Sequence, residues 1–564
     1  MNLFYKNYVH RTAYVLLFFA VGLLFQGCSK DKESEIITDG GTPFNGKILV
    51  NVLGTTEDDD IPSVNVKTAS VATKSGSKGS SAVQPKVLKF EGFDAMVSVE
   101  RDVLKKTNVT VGNVVKGRSS TGELSAAAVA VGVKYRLMLY KKDGTFVSST
   151  LLTSGTPGLI DVVKGDAYDW YAISYNNTDD VPDVTNRVTP TLALPGGKDV
   201  LYASGEISIP QNGVDGNRPL GITFKHSLAR VAVELNTMGM FANMVSAGVS
   251  VSGIAAKTGT INLKTGALTN LTNYTQTIDY TSFTDVNSLY QDAKVAYIYT
   301  ADVAPLSNLT VTVNDLTIRL DNNTTRAFGP LLTATPSVFT FNITPQLGRS
   351  YRALVNLIES PLTLAGVRWS RANLYYQAGH NPYRFNHTYT PTTNANSYFA
   401  YRALTPANTA KGDPCAVVYP AGIWRQATFE DFNALTRIGG PAYTYGTEGG
   451  SGYMEYRTST GTATPYPGKD LRFVMNGEAN TVRLLSGVVE LQFSNTTTRS
   501  EIWTSSPLLG LGDILVVGAY HYSGRQASDV TANSLLNVDL VGLNVAGVNL
   551  KNVRCVRTNL PTPN

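Results

Sequence analysis

Apolar and polar residues alternate in short runs along most of this chain, with the period of two that marks a half-buried strand. Residues 47–52, Lys-Ile-Leu-Val-Asn-Val, form the first such run, and an acidic turn follows at Glu57, Asp58, Asp59 and Asp60. Between Thr68 and Pro85 the chain is rich in Ser, Gly and Lys, which predicts a mobile loop. Residues 134–140 put Tyr135, Leu137 and Leu139 on one face, and Asp143-Gly144 supplies a hairpin turn. A second series begins near Leu220, where Val231, Val233 and Leu235 alternate with Ala232 and Glu234. Farther on, Leu309, Val311 and Val313 precede Asn314-Asp315, and Leu316, Ile318 and Leu320 follow, which predicts an antiparallel hairpin with a two-residue turn. No helix-period stretch of useful length precedes residue 360, so two β-sandwiches are expected over 46–218 and 219–360.

The pattern changes after Leu357. Trp369, Tyr375, Tyr376, Tyr383, Phe385, Tyr389, Tyr398, Phe399 and Tyr401 crowd a segment rich in Asn, Pro and Gly, which predicts long packed loops. One amphipathic helix is expected, with Thr428 as N-cap, Asp431 at its third position, Phe429, Phe432, Leu435 and Ile438 on its apolar face, and Gly439 ending it. Residues 361–564 are therefore expected to be an α+β domain.

The N-terminus has a different character. Lys6 and Arg11 precede an apolar run over 13–25, which is shorter than the ~20 residues a membrane span needs. Phe25-Gln26-Gly27-Cys28 closes it like a lipobox, so residues 1–27 are expected to be a lipoprotein signal, Cys28 the lipidated residue, and 28–45 a charged linker. The mature chain would begin as an outer-membrane lipoprotein precursor. Composition fits an exported β protein, since 50 Gly and 29 Tyr accompany only 16% charged residues. A net charge of +5, scattered along the chain, gives no nucleic-acid footprint. Beyond Cys28 the cysteines are Cys415 and Cys555, enough for one disulfide in an oxidising compartment. The five histidines are dispersed, and only convergence of His380, His387 and His521 in the fold would make a metal site; no metal or other cofactor is expected.

Two stretches carry family resemblances. Tyr135-Arg136-Leu137-Met138-Leu139-Tyr140 with Asp143-Gly144, then Tyr168-Asp169-Trp170-Tyr171-Ala172-Ile173-Ser174-Tyr175-Asn176, resemble the first domain of the Bacteroidetes fimbrillin family. Phe224-Lys225-His226-Ser227-Leu228-Ala229-Arg230-Val231 is similar to the phrase that opens that family's second domain, and Ile343-Thr344-Pro345 through Gly348-Arg349-Ser350-Tyr351 to its closing strand. The resemblance implies two transthyretin-like Greek-key sandwiches, lipoprotein export, and assembly into type V pili by strand exchange. It also implies proteolytic removal of an N-terminal strand, here 47–52, with Arg101 and Arg118 as the first mature arginines available to an arginine-specific protease. Gly366-Val367-Arg368-Trp369, Asn373-Leu374, Asp413-Pro414-Cys415, Trp424-Arg425, Ile502-Trp503-Thr504-Ser505-Ser506 and Val553-Arg554-Cys555-Val556-Arg557 look like a C-type-lectin-like domain of surface proteins in these bacteria. That likeness implies a Cys415–Cys555 disulfide. The chain lacks the Glu-Pro-Asn or Gln-Pro-Asp calcium loop and the Trp-Asn-Asp strand of carbohydrate-binding C-type lectins, so calcium-dependent sugar binding is not implied.

Aromatic loop residues are the candidate ligand contacts, because a ring stacks on a sugar or anchors a protein contact at low entropic cost. Tyr443, Tyr445, Tyr453 and Tyr456 lie in a Gly-rich insertion, and Tyr520-His521-Tyr522 sits between Gly518 and Gly524; the competing reading is that these tyrosines close the loop core. Trp369, Trp424 and Trp503 are expected in the core, and His226 in a structural strand. The resemblances together imply an accessory, tip-located fimbrial subunit that accepts a strand from its neighbours and binds a host or bacterial surface protein or glycan. A lipid-anchored glycan-binding protein is the alternative. A lectin-fold enzyme is a second, disfavoured because Cys415 and Cys555 lie far apart in sequence and no hydrolase, zinc-protease or phosphate-loop signature is present.

Overall fold

Strand follows strand in the computed structural model, which describes residues 45–56, 83–90, 92–102, 127–211, 217–385, 394–406, 410–448, 450–457, 470–483, 489–510, 515–525, 530–535, 539–540 and 549–558. The expected signal segment with Cys28, Arg118 and His387 lie outside the described residues, as does most of the loop expected over 68–85; the end of that loop enters the strand Val83–Lys89.

The first sandwich is a single seven-stranded sheet in the order Phe146–Thr153, Lys134–Lys141, Ala167–Ser174, Leu201–Ser208, Arg218–His226, Gly46–Thr56, Gly158–Val162. It turns a corner where Leu201–Ser208 meets Arg218–His226, through the pairs Lys225↔Tyr202 and His226↔Leu201. Alternation then does the rest. Ile48, Val50, Tyr135, Leu137, Leu139, Trp170, Ile222 and Phe224 come from both halves of the sheet and form one buried cluster. The hairpin expected at Asp143-Gly144 is present, with Gly144 at φ 89°, a conformation that favours glycine. His226 lies in its expected strand and pairs with Asp199 at 2.9 Å. The outward residues Met138, Tyr140 and Ile173 are buried too, because a small sheet of Leu268–Asn273, Lys257–Asn262 and Thr191–Ala193 contributes Leu192 and Ile261 to a second cluster, which Leu263, the residue after Lys257–Asn262, joins.

The second sandwich stacks a six-stranded sheet (Thr284–Asn287, Tyr290–Thr300, Ala229–Gly239, Ser350–Glu359, Phe93–Arg101, Val83–Lys89) on a smaller one built around Asn243–Ser252 and Leu306–Arg319. Two of those strands, Val83–Lys89 and Phe93–Arg101, fall within the range expected for the first sandwich but hydrogen-bond into the second, alongside Ser350–Glu359. Local alternation identifies such strands without saying which sheet they join, since pairing partners are set by long-range burial.

The hairpin expected at Asn314-Asp315 is not formed. Leu306–Arg319 is one continuous strand along Asn243–Ser252, and its register slips where Val249 pairs Val313 but Gly248 pairs Asp315. Asn314 is the extra residue of a β-bulge. A bulge shifts the alternation by one residue, so Val313 and Leu316 both point inward, as they would across a turn. Gly248 makes room for it: a Cβ there would stand 2.1 Å from Asn314 Oδ1.

The C-terminal unit is organised on a sheet ordered Leu362–Leu364, Val367–Tyr376, Asn552–Arg557, Arg499–Gly510, Leu515–Arg525, Val530–Leu535. Val367–Tyr376 is antiparallel to Asn552–Arg557, which brings the two ends of the unit together, and Cys415 and Cys555 form a disulfide. The aromatic stretch expected as loops is partly strand, with Trp369, Tyr375 and Tyr376 in Val367–Tyr376 and Tyr383 and Phe385 in Tyr383–Phe385. The α+β character expected here amounts, among the described residues, to one α-helix, Phe429–Thr436, capped as expected by reciprocal bonds between Thr428 and Asp431. It ends before Ile438, which is fully exposed rather than on the apolar face; Arg437 has already left helical geometry.

Candidate functional site

Strand Gly46–Thr56 is held differently from the strands around it. It lies parallel to Arg218–His226 on one side and antiparallel to Gly158–Val162 on the other. Ile48 and Val50 are fully buried, and each burial stabilises the sandwich by about 1.5–3 kcal/mol. Beyond the bulge at Val52 and Gly54, Thr55 bridges to Ala127. Without this strand, Arg218–His226 and Gly158–Val162 would each have an unpaired edge, and Tyr135, Ile160, Ile222 and Phe224, which share its core, would lose apolar cover. The expected removable segment 47–52 lies wholly within this strand.

At the other end, Ser350–Glu359 closes the fimbrillin-resembling stretch. Its neighbours are Ala229–Gly239 on one side and Phe93–Arg101 on the other, and the chain runs directly from it into Leu362–Leu364 and Val367–Tyr376. Arg101, one of the two expected processing sites, is the last residue of Phe93–Arg101 and pairs with Tyr351.

The seven candidate ligand residues do not form one surface. Tyr456 and Tyr522 have no exposed surface and His521 almost none, so these three are core residues; Tyr522 stacks on Phe432 and Tyr456 packs edge-on against Phe473. Inward-facing positions of strands Ser451–Tyr456 and Leu515–Arg525 carry them there, an outcome that a Gly-rich context conceals in sequence. Tyr453 lies against Gly446, where a Cβ would stand 2.3 Å from its ring, and is covered by the Arg472 guanidinium at 3.9 Å. Tyr520 is half-buried and packs at a tilt against Phe429, ring centroids 4.0 Å apart. Tyr443 is the most exposed of the set, and the half-buried Tyr445 meets it edge-on at 5.7 Å. Trp369, Trp424 and Trp503 are buried as expected.

His521 instead belongs to a buried charge cluster. Its Nε2 lies 3.2 Å from Glu501, which also accepts from Ser523 at 2.8 Å and pairs with Lys551 at 3.0 Å and Arg499 at 4.0 Å; Lys551 also reaches Glu478. Burial by itself raises the Glu501 carboxyl, but the His521 hydrogen bond and the Lys551 charge outweigh it and bring the group to about 2, below its usual 4.5. A group more acidic folded than unfolded contributes stability above its unfolded pKa and loses it as pH falls through the folded one. The C-terminal unit is therefore expected to lose stability progressively from about pH 4.5 toward pH 2. Tryptophan fluorescence along an acid titration measures this, and Glu501→Gln should flatten the slope; an unchanged slope would remove Glu501 as its source.

His380 sits elsewhere, paired with Asp292 at 2.7 Å and stacked on Tyr290, so the two described histidines of the three weighed as a metal site do not converge. Among the described residues no group of three or more His, Cys, Asp or Glu side chains is placed to hold a metal.

Sequence reasoning missed the junction between the second sandwich and the C-terminal unit. Glu359, the last residue of its strand, is buried between Arg326 at 3.3 Å and Arg371 at 3.0 Å. Asp94 faces Arg557 at 3.5 Å, and Arg557 also donates to the Glu359 carbonyl. Phe241, Ile358, Phe385, Trp424 and both cysteines share one core across this junction, and Tyr419 donates to Asn356 at 2.8 Å. The only sequence signal was the rarity of charged residues in strands otherwise apolar.

The described chain is thus almost entirely strand, with Gly46–Thr56 held between two neighbours and a further sheet-built unit following Ser350–Glu359. Residues 117–357 match the family model described as fimbrillin-like, and this region belongs to that family. Among solved structures, the chain is similar to the fimbrial anchor protein of Porphyromonas gingivalis, at 13% identity over 40% of this chain and 94% of that one, TM-score 0.21. It is also similar to a fimbrial assembly protein from Parabacteroides distasonis, at 11% identity over 39% of this chain and 81% of that one, TM-score 0.21. Likeness at those scores adds nothing to what the family model shows. None of the curated proteins matches the chain in sequence.

Proposed function

We propose that this chain is an accessory subunit at the tip of a type V fimbria, with two transthyretin-like sandwiches and a C-type-lectin-like C-terminal domain that adheres to host or bacterial surface proteins or glycans. The observation that carries this reading is the asymmetry between its two candidate assembly strands. Gly46–Thr56 stands over a hydrophobic groove that a neighbour's strand would fill, supplying both hydrogen bonds and apolar side chains. Ser350–Glu359 is flanked on both sides and continues into the next sheet, so the fimbrillin-like region ends without a strand to donate. A subunit that accepts and does not donate terminates a polymer. Tyr443, supported by Tyr445, is the best-placed of the candidate contacts for an adhesive partner.

Immunogold labelling of surface filaments should place the chain at filament ends. Labelling along the shaft would defeat the tip assignment, and permanent membrane retention with polysaccharide affinity would support the glycan-binding alternative instead. Export through the lipobox has its own test. Cys28→Ala should leave a longer precursor that takes up no labelled palmitate, and equal labelling of wild type and variant would reject lipidation.

A further inference from the structure

The N-terminal part of the chain makes two attachments that differ in kind. Gly46–Thr56 contributes Ile48 and Val50 to the core of the first sandwich, and its strand pairs lie within that sandwich. The hairpin of Val83–Lys89 and Phe93–Arg101 is held by the second sandwich and the C-terminal unit together.

Its inner face supplies Phe93 and Ala95, both without exposed surface, and half-buried Leu88, Phe90, Val97 and Val99 to the second core. Phe93 meets Phe328 edge-on at 5.5 Å, and Phe90 meets Phe339 at 5.4 Å. The outer face turns to the C-terminal unit, where Met96 packs on the cluster holding Cys415 and Cys555, and Asp94 faces the buried Arg557. Both ends are also fixed. Arg326 donates to the Gly92 carbonyl at 2.8 Å, and just past the hairpin Asp102 accepts from Arg230 at 2.9 Å and Ser350 at 3.0 Å.

We infer that the hairpin is the permanent seat of the C-terminal unit and that only Gly46–Thr56 is detachable, so a cut at Arg101 or beyond leaves the N-terminal fragment bound. Such a fragment would be held at two sites on one body. Dissociation requires both to open together, and the tether keeps each released segment at high effective concentration near its site. Peeling the hairpin away would also uncover Phe93 and leave Arg557 buried without Asp94, a cost that detaching the first strand does not carry. The inference takes its biological setting from the proposed strand removal, but its test reads fragment retention in the purified chain rather than place in a filament.

The test uses full-length protein carrying two inserted recognition sequences for a site-specific protease, one between Thr56 and Val83 and one between Asp102 and Ala127. After cleavage at both, the folded body is challenged under native conditions with labelled synthetic peptides spanning residues 46–56 and 83–102. The first peptide should replace its segment, and the second should enter about tenfold more slowly or worse, with the hairpin fragment coeluting with the body on gel filtration. Asp94→Ala should speed hairpin exchange and leave exchange of the first strand unchanged. Equal or faster entry of the second peptide, or a hairpin fragment that elutes freely from a still-folded body, would overturn the inference; so would indifference of hairpin exchange to Asp94→Ala.

Discussion

Glu359→Ala is expected to destabilise the protein by about 3–5 kcal/mol, as the loss of one partner from a buried ion pair does. The carboxylate sits between Arg326 and Arg371, with 1% and 6% of those side chains exposed. Removing it leaves two guanidinium groups beside each other in a medium that solvates neither well, so the cost is mainly that of the stranded charges. Glu359→Gln keeps some hydrogen bonding and should cost less. Replacing the whole trio, as Arg326→Met, Glu359→Leu and Arg371→Met together, should recover a good part of the loss, because apolar residues of similar volume need no charge compensation. Guanidinium chloride unfolding of the four proteins measures this series. A change below about 1 kcal/mol for Glu359→Ala, the range of exposed pairs, would mean that the junction is open to water.

Removal of the Cys415–Cys555 cross-link should have an effect of similar size. The two cysteines are 140 positions apart, and the chain-entropy account gives about 4–5 kcal/mol for closing a loop of that length in the unfolded chain. The Cys415→Ala, Cys555→Ala double variant is therefore expected to unfold at a clearly lower denaturant concentration, and reductant should move the wild type in the same direction. Both sulfurs are buried in the core at the junction with the second sandwich, so the loss should also reach Trp424 and Phe385. Two free thiols in non-reduced peptides of the protein, or a double variant with an unchanged midpoint, would count against the bond.

Much of the fold can be read along the chain because strand alternation is local. Tyr135, Leu137 and Leu139, and likewise Val231, Val233 and Leu235, face their cores as their spacing predicts, and Thr428 with Asp431 caps the α-helix Phe429–Thr436. The candidate site was less legible. A tyrosine in a glycine-rich strand has the same local signature whether it faces solvent or core, so Tyr456 and Tyr522 could be told from Tyr443 only by the layer packed against them. The one-residue slip at Asn314 reads equally as a turn or a bulge until Asn243–Ser252 is seen running past it.

By itself, then, the sequence determined the β class, the most strictly alternating strands such as Gly46–Thr56, Lys134–Lys141 and Ala229–Gly239, the helix cap and the family of residues 117–357, since each depends on neighbours in the chain. Tertiary structure decided the rest. The hairpin Val83–Arg101 joins the second sandwich rather than the first, and Glu359 and Asp94 become buried ion-pair partners of Arg326, Arg371 and Arg557, because burial and pairing are properties of residues brought together from distant parts of the chain.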